Sequence, residues 1–325
     1  MGKPLEGRIA LVAGATRGAG RGIAAMLGEA GATVWCTGRS VRGRPASGKE
    51  RPETIEETAE LVTSRGGRGI AVRTDHTVEA EVAALCERIR QESGRLDILV
   101  NDVWGGDALI EWGKPFWETT AENARVLLER SVFSHLLTGR HALPLLLESD
   151  RGLLVEITDG DSFGYRGNVL YDLIKMSVIR LAFDLSRELR KTKVTALAVT
   201  PGFLRSESML DLFGVTEANW RQAAETHSPD FISSETPYFV GRAVAALAAD
   251  PTVRAKAGRV YSSWVLSREY GFDDIDGARP DWGVYFERKY GRSPVADDAA
   301  YASWLDSPMD LAFPDGVPDL TQPTS

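Results

Sequence analysis

Short apolar runs rich in β-branched residues alternate along most of the chain with longer runs that have helical periodicity. Such an alternation is typical of a parallel sheet covered by helices on both faces. The predicted strands are 8–13, 33–37, 69–73, 97–100, 152–157, 194–199 and 258–262. The predicted helices are 18–30, 53–65, 78–93, 119–147, 168–190 and 235–249. The sequence therefore predicts an α/β fold with one doubly wound parallel sheet of about seven strands.

Three stretches interrupt the alternation: residues 39–52, 102–118 and 268–325. The first two follow strand ends, where open α/β sheets bind ligands. The third becomes rich in Pro, Asp and Ser toward its end, a composition that favours disorder but also suits a lid over a site. We predict one α/β domain at 1–266 and a C-terminal extension at 267–325.

Composition excludes several classes of protein. With 43% hydrophobic and 26% charged residues, the chain has the balance of a soluble globular protein. A formal charge of −8 argues against a general nucleic-acid binder, because phosphate binding needs a basic surface. No apolar run approaches the ~20 residues that span a bilayer, and the short run from Ile9 is predicted to be a strand rather than a signal peptide. We expect a cytoplasmic protein with a small-molecule partner.

Cysteines and histidines give no sign of a metal site. Cys36 and Cys86 lie in apolar contexts that predict buried thiols rather than a disulfide. The four histidines are scattered without the spacing of metal ligands. We predict no metal in the site.

A glycine-rich turn follows the first strand and leads into the first helix, in the stretch AGATRGAGRG. Glycines let the backbone approach a pyrophosphate closely, and the N–H groups of the helix N-terminus attract it. A tight strand-to-helix turn needs glycine in any case, but this position in an α/β alternation favours nucleotide binding. The predicted phosphate loop comprises Gly14, Thr16, Arg17, Gly18, Ala19 and Gly20.

The end of the second strand indicates which nucleotide binds. NAD sites usually have an acidic residue there, whereas this chain reads Thr37-Gly38-Arg39. Guanidinium groups suit a phosphate monoester because they donate paired, charge-assisted hydrogen bonds. Arg17 and Arg39 therefore predict NADP(H) in preference to NAD.

Tyr171 and Lys175 are four residues apart on a predicted helix, so their side chains share one face. Two features precede this pair in the sequence: the glycine turn after the first strand and Asn101 after the fourth. Pro201-Gly202, after the sixth strand, follows it. This ordered set resembles the short-chain dehydrogenase/reductase family over about residues 5–265. The resemblance implies a Rossmann-type fold, a nicotinamide cofactor and hydride transfer to or from a carbonyl or alcohol.

The resemblance also implies roles for matching residues. Tyr171 would donate the proton to the substrate oxygen, and Lys175 would bind the nicotinamide ribose and lower the pKa of the phenol. Bringing a phenol of pKa about 10 near neutrality needs ~4 kcal/mol of preference for phenolate. The implied cofactor contacts elsewhere are Asp75 with His76 beside it, Asn101, Pro201, Gly202 and Ser206.

The catalytic shell departs from the family pattern. The family places a serine 12 or 13 residues before the tyrosine, where this chain has Asp159 and Thr158. Successive strand residues point to opposite faces, so only one of the two can line the site. Thr158 would keep a neutral hydroxyl, whereas Asp159 could donate only if protonated. We favour Asp159, and Ser162 in the same loop is a third candidate.

A second departure lies on the predicted helix 119–147. The family often has an asparagine there that holds a relay water, whereas the matching stretch LLERSVFSHLLTG contains none. Ser131 is the nearest substitute, although it could equally ease helix packing.

Aromatic residues are frequent in the loops after the fourth, fifth and sixth strands. They predict an apolar carbonyl or alcohol substrate, although loop packing alone would also explain them. Helices 119–147 and 168–190 are apolar on more than one face, and their family equivalents pair, which predicts a homodimer or homotetramer. The predicted function is an NADP(H)-dependent carbonyl reductase or alcohol dehydrogenase. The alternatives are a nucleotide-binding protein without catalysis, which an Asp159–Lys175 ion pair would favour, and a lyase or epimerase.

Overall fold

The structure, a computed structural model, describes residues 2–44, 51–161 and 164–291. Seven parallel strands form one sheet in the order β3-β2-β1-β4-β5-β6-β7. The strands are β1 (Ile9–Ala13), β2 (Thr33–Gly38), β3 (Arg68–Arg73), β4 (Ile98–Asn101), β5 (Gly152–Ile157), β6 (Val194–Thr200) and β7 (Val260–Ser262). The predicted fold class is confirmed.

Eleven α-helices are found within the described residues. They are α1 (Gly18–Glu29), α2 (Ile55–Ser64), α3 (Glu79–Ser93), α4 (Ala121–Leu128), α5 (Ser134–Leu146), α6 (Val169–Glu188), α7 (Glu207–Leu212), α8 (Gln222–Thr226), α9 (Pro237–Ala249), α10 (Ser263–Tyr270) and α11 (Trp282–Tyr290). The predicted helix 119–147 is divided, because a π-helical turn at Glu129–Phe133 separates α4 from α5. Such turns often occur at functional sites.

Each face of the sheet is covered by its own hydrophobic cluster. Helices α1 and α9 pack on one face around Ile23, Val34 and Val240, and helices α3 and α5 pack on the other around Leu11, Leu85 and Leu145. Since both faces are buried, β4, β5 and β6 consist almost entirely of buried residues.

The strand order reverses at β1, which has β2 on one side and β4 on the other. Residues that follow the strands therefore meet at the carboxyl edge of the sheet, next to a crevice. Ala13 pairs with Asn101 across β1 and β4, and Ile157 pairs with Val199 across β5 and β6. This register brings the glycine turn, Asn101 and Asp159 to one edge.

The chain beyond β7 returns to the carboxyl edge of the sheet. Asp274 accepts hydrogen bonds from the backbone N–H and the Oγ1 hydroxyl of Thr236, at 2.8 and 2.5 Å. The ring of Trp282, at the start of α11, lies 5.9 Å from that of Phe203. Helix α10 spans the predicted boundary between 266 and 267. Residues 292–325, part of the extension predicted as a lid or partly disordered, lie outside the described residues.

Among the described residues, no helix combines the length and the apolar character that crossing a membrane requires.

Candidate active site

Helix α6 carries Tyr171 and Lys175 at its N-terminal end. The side chain of Asn168 caps this helix by accepting hydrogen bonds from the backbone N–H groups of Leu170 and Tyr171, at 3.0 and 3.1 Å. The cap fixes the first turn, so that Lys175 follows one turn later on the same face. The Lys175 Nζ atom lies 5.5 Å from the centre of the Tyr171 ring.

The residue after β5 that meets the tyrosine is Asp159. The Tyr171 hydroxyl donates a hydrogen bond to Asp159 Oδ2 at 2.6 Å. Thr158 points away and donates to the backbone carbonyl of Lys175 at 2.8 Å. The alternation of strand side chains thus places the carboxylate in the site and the hydroxyl behind it. Ser162 lies outside the described residues.

The electrostatics of this pair keep the phenol protonated. Burial, together with the charge and hydrogen bond of Asp159, raises the pKa of Tyr171 well above its ordinary value. Burial lowers the pKa of Lys175, against the opposing charges of Asp159 and Asp102. Within the described part of the chain, Asp159 and Lys175 form no ion pair. The carboxylate is therefore committed to the phenol rather than to the ammonium.

Two tryptophans of the 102–118 loop flank the tyrosine. The Trp104 ring meets the Tyr171 ring edge-on at 5.7 Å, and its face lies 4.4 Å from Lys175 Nζ. The Trp112 ring lies 5.3 Å from Tyr171 and is 58% exposed. Tyr171 thus has an indole ring on each of two sides, and the Trp104 face also covers the ammonium of Lys175.

A glycine cradle lies beside this pair, between β1 and α1. Gly14 has φ +89°, and a Cβ atom there would lie 2.3 Å from the backbone oxygen of Asp102. Gly18 has φ +57°, another conformation that favours glycine. Ala19 and Gly20 are buried in the first turn of α1, and Thr16 packs against Gly38.

Two carboxylates lie at the N-terminus of α1. Glu207 Oε2, from α7, accepts a hydrogen bond from the backbone N–H of Gly18 at 2.7 Å. Asp102 Oδ2 lies against Gly20, 2.8 Å from where a Cβ atom would be. Burial raises the pKa of Asp102 to about 7, against the opposing charge of Lys175. Acidic groups therefore occupy the positive end of the helix dipole.

These residues fit a nicotinamide dinucleotide. The turn after β1 packs tightly, because the backbone of Asp102 and of Gly14 fills the Cβ positions of Gly14 and Gly20, and the helix N-terminus supplies N–H donors that suit a pyrophosphate. Lys175 Nζ donates no hydrogen bond to any residue that the structure describes, so its three protons are available to ribose hydroxyls. Gly14, Gly18 and Lys175 would hold the phosphates and the nicotinamide ribose.

At the adenosine end, both predicted phosphate-binding arginines contact acids. Arg39 Nη1 lies 3.8 Å from Asp75 Oδ2, and Arg17 Nε lies 3.5 Å from Glu53 Oε2. The His76 side chain lies deeper. Its Nε2 bonds the hydroxyl of Thr37 at 2.9 Å, and its Nδ1 bonds the hydroxyl of Thr138 at 2.8 Å.

Burial lowers the pKa of His76 to about 3, so its ring is neutral and has one N–H to donate. One threonine hydroxyl must therefore donate to the ring. The His76 side chain thus links β2 to α5.

A buried acid, Glu235, lies beside Gly202 after β6. Glu235 Oε2 accepts hydrogen bonds from the Gly202 N–H at 2.9 Å and the Ser263 hydroxyl at 2.5 Å. Burial raises the pKa of Glu235 to about 8. Pro201 precedes Gly202 at the end of β6, and Ser206 caps α7 by accepting from the Met209 N–H at 3.3 Å.

A buried network that the sequence analysis missed supports the loop after β4. Glu156 accepts from Asn101 Nδ2 at 2.8 Å and forms a hydrogen bond with His135 Nδ1 at 2.6 Å. His135 Nε2 donates to the backbone carbonyl of Val103 at 3.1 Å. The available signal was a glutamate in an otherwise apolar strand and a histidine within an apolar helix. The network fixes the loop from which Asp102 and Trp104 extend.

Ser131 lies in the π-helical turn and is buried. Its hydroxyl oxygen has no partner among the residues that the structure describes. A buried polar atom of this kind is the usual position of an ordered water.

Comparisons with known proteins agree with this geometry. The family model for short chain dehydrogenases matches residues 8–213. Dehydrogenase/reductase SDR family member 1 of Mus musculus is 34% identical over 307 residues, covering 94% of this chain and 93% of the mouse protein. The protein of the same name from Homo sapiens is 34% identical over 280 residues, covering 85% and 86% of the two chains.

Solved structures share the fold. A short chain dehydrogenase from Mycobacterium thermoresistibile superposes with a TM-score of 0.70 at 20% identity, covering 98% of this chain and 100% of its own. A hydroxysteroid dehydrogenase from Escherichia coli gives a TM-score of 0.63 at 22% identity, covering 80% and 96%. The fold, the glycine cradle, the tyrosine–lysine pair and the family match together lead to one conclusion: the chain is an oxidoreductase of the short-chain dehydrogenase/reductase family.

Proposed function

We propose that the protein is an NADP(H)-dependent carbonyl reductase or alcohol dehydrogenase in which Tyr171 is the acid/base. The observation that carries the proposal is the 2.6 Å hydrogen bond between the Tyr171 hydroxyl and Asp159, one helical turn from an ammonium that has no hydrogen-bond partner among the described residues. A phenol, a carboxyl and an ammonium within one pocket form a proton-handling group.

Each residue has a part in the reaction. When bound, the dihydronicotinamide supplies the hydride. Tyr171 donates its proton to the substrate oxygen as negative charge develops there. Lys175 stabilises that phenolate and holds the ribose. Asp159, when it carries a proton, gives the oxygen a second hydrogen bond in place of the family's serine.

Two features support NADP(H) over NAD. The end of β2 reads Thr37-Gly38-Arg39, with no carboxylate to accept hydrogen bonds from a ribose. Arg39 and Arg17 line that end, and each now contacts an acid across 3.5–3.8 Å. A 2′-phosphate would compete with Asp75 and Glu53 for the same guanidinium groups.

The substrate side supports an apolar, aromatic carbonyl or alcohol. A cleft of about 230 Å³ lies beside the first turn of α6, and three of its nine lining residues are aromatic: Phe116, Trp117 and Tyr165. The partly exposed Trp112 ring lies 5.3 Å from the Tyr171 ring. Such a wall favours flat apolar groups.

A homodimer or homotetramer belongs to the same proposal. Leu128, Phe133 and Leu136 on the α4–α5 segment, and Val169 and Leu173 on α6, are each 38–51% exposed. Apolar helix faces of this kind are typical of an isologous interface. Sedimentation equilibrium should give twice or four times the mass of the chain, and a monomer at micromolar concentration would contradict this part.

The test is a pair of titrations followed by an assay. NADPH and NADH are added separately to the purified protein while nicotinamide fluorescence is recorded, and aromatic and aliphatic ketones and quinones are then supplied. We expect tighter binding of NADPH and substrate-dependent oxidation. NADPH binding without turnover across the panel would favour a nucleotide-binding protein without catalysis, and absence of binding of either cofactor would overturn the proposal.

A further inference from the structure

We propose that the site also reduces carbon–nitrogen double bonds that carry a positive charge, namely iminium ions attached to an aromatic or bicyclic ring system, with ionised Asp159 paired to the cation. The inference rests on the proposed function, because it uses the same hydride donor and the same pocket. It differs in the group that accepts the hydride.

The free oxygen of Asp159 is the first observation. Oδ2 accepts the hydrogen bond of Tyr171, whereas Oδ1 accepts none from the residues that the structure describes. An ionised carboxylate only accepts, so it cannot donate to a carbonyl oxygen. The same carboxylate is a suitable partner for a cation or for a protonated nitrogen.

The charges around Tyr171 also favour a cation. Those that face the pair from the surrounding elements are the acids Asp102, Asp107, Asp159 and Asp172 and the bases Lys175 and Arg166. Arg166 is already paired with Asp172, at 2.8 Å. Lys175 alone then faces the three remaining acids. Asp102, whose pKa is about 7, is only partly ionised near neutral pH, but Asp107 and Asp159 together still outweigh the single charge of Lys175, and this excess negative charge attracts a positive substrate.

The aromatic walls add a second attraction. The face of Trp104 already holds one cation, the ammonium of Lys175, at 4.4 Å. Its indole Nε1 donates to Asp107 at 2.5 Å, which increases the electron density of the ring. Trp112 presents a second indole beside Tyr171, and it is exposed enough to receive a ligand. Indole faces are the strongest cation–π partners among protein side chains.

The reaction balances without a proton. The iminium carbon gains the hydride with its two electrons, and the π pair of the carbon–nitrogen bond moves to nitrogen, which becomes a neutral amine. The substrate is reduced as the dihydronicotinamide, the reductant, is oxidised. Tyr171 keeps its proton throughout, in agreement with the raised pKa of its hydroxyl. A carbonyl, by contrast, must receive a proton on oxygen.

Binding to the cofactor-free protein tests the cation site apart from activity. The probes are N,N-dimethyl-1,2,3,4-tetrahydroisoquinolinium, whose charge is fixed, and the neutral ketone 1-tetralone. Their binding is measured by the change in tryptophan fluorescence. We expect the cation to bind about tenfold tighter than the ketone. Asp159→Asn should remove about that tenfold for the cation and change the affinity for the ketone much less. Asp184→Asn, on the distant exposed part of the same helix, should change neither.

Equal affinity of the cation for the wild-type and Asp159→Asn proteins would overturn the inference. A fluorescence change in Asp159→Asn with the ketone shows that the variant is folded and that its pocket is intact.

Turnover is the second test. NADPH oxidation is followed from pH 6 to 9 with N-methyl-3,4-dihydroisoquinolinium and with 1-tetralone, each against an enzyme-free blank. We expect the iminium rate to hold or rise with pH while the ketone rate falls. Asp159→Ser removes the carboxylate from the cation, so the ratio of the iminium rate to the ketone rate should fall in this variant. Ketone turnover without iminium turnover would overturn this inference alone, whereas a protein that binds no NADPH would overturn the proposed function as well.

Discussion

The carboxylate of Glu207 accepts a hydrogen bond from the backbone N–H of Gly18 at 2.7 Å, at the first residue of α1. That N–H belongs to the group of donors that a pyrophosphate would use. A cofactor must therefore displace this carboxylate or bind beside a like charge. Glu207 begins α7, whose Met209 and Leu210 are half-buried against the cluster of Trp220 and Phe231.

Removing this charge should tighten cofactor binding. We predict that Glu207→Gln lowers the Kd for NADPH by about threefold to tenfold, because the amide keeps the shape but removes like-charge repulsion. The measurement is a fluorescence titration at low ionic strength, with Glu225→Gln on α8 as an exposed control. A Kd that is unchanged or larger would show that the carboxylate does not compete with the cofactor.

The buried Glu156–His135 pair should contribute strongly to stability. Glu156→Ala leaves His135 Nδ1 and Asn101 Nδ2 without their buried partner, and we predict a loss of ~3–5 kcal/mol in the free energy of unfolding. Glu156→Gln should lose less than ~1 kcal/mol, because its amide donates to His135 and its oxygen still accepts from Asn101.

Urea denaturation of both variants checks this prediction. Similar losses in the two variants would mean that the charge of Glu156, rather than the hydrogen bonds, stabilises the loop.

Glu235 should make stability depend on pH. Its folded pKa of about 8 lies above the ordinary value of 4.5, so the unfolded chain loses this proton first as pH rises. The free energy of unfolding should therefore decrease between pH 4.5 and about 8, by up to a few kcal/mol, and level off above. Asp102, with a pKa raised to about 7, acts in the same direction.

The matched variant is Glu235→Gln, measured by urea denaturation from pH 5.5 to 8.5. Its slope should be shallower than that of the wild type, since the contribution of Glu235 is then absent while those of Asp102 and Asp274, whose pKa values burial also raises, remain. An identical slope would show that Glu235 is ionised in the folded protein at pH 5.5.

The sequence predicted all seven strands to within two residues at each end, because buried parallel strands are continuous β-branched and apolar runs. Helices α7, α8, α10 and α11 were not predicted. They have five to nine residues each, too short to give a helical period, and packing rather than propensity stabilises them. The predicted cytoplasmic location and the domain division at 266 stay predictions.

Within the site, the spacing of residues along the chain predicted which side chains lie together, whereas contacts between residues distant in sequence were not predicted. Tyr171 and Lys175 follow from the helical period, and Asp159 from its separation from Tyr171. The contact of Glu207 with Gly18 joins residues 189 positions apart, and that of His135 with Glu156 joins a helix to a strand. Such contacts depend on how the helices pack, which a single sequence does not show.

The central claim is that Tyr171 transfers a proton to the substrate in an NADPH-dependent reduction. The most direct test measures kcat/KM for an aromatic ketone in the wild type and in Tyr171→Phe, with the Kd for NADPH determined on the same samples. We predict a loss of about 10²- to 10⁴-fold in kcat/KM with an NADPH Kd unchanged within about twofold. A variant that binds NADPH normally and keeps the wild-type rate would contradict the account.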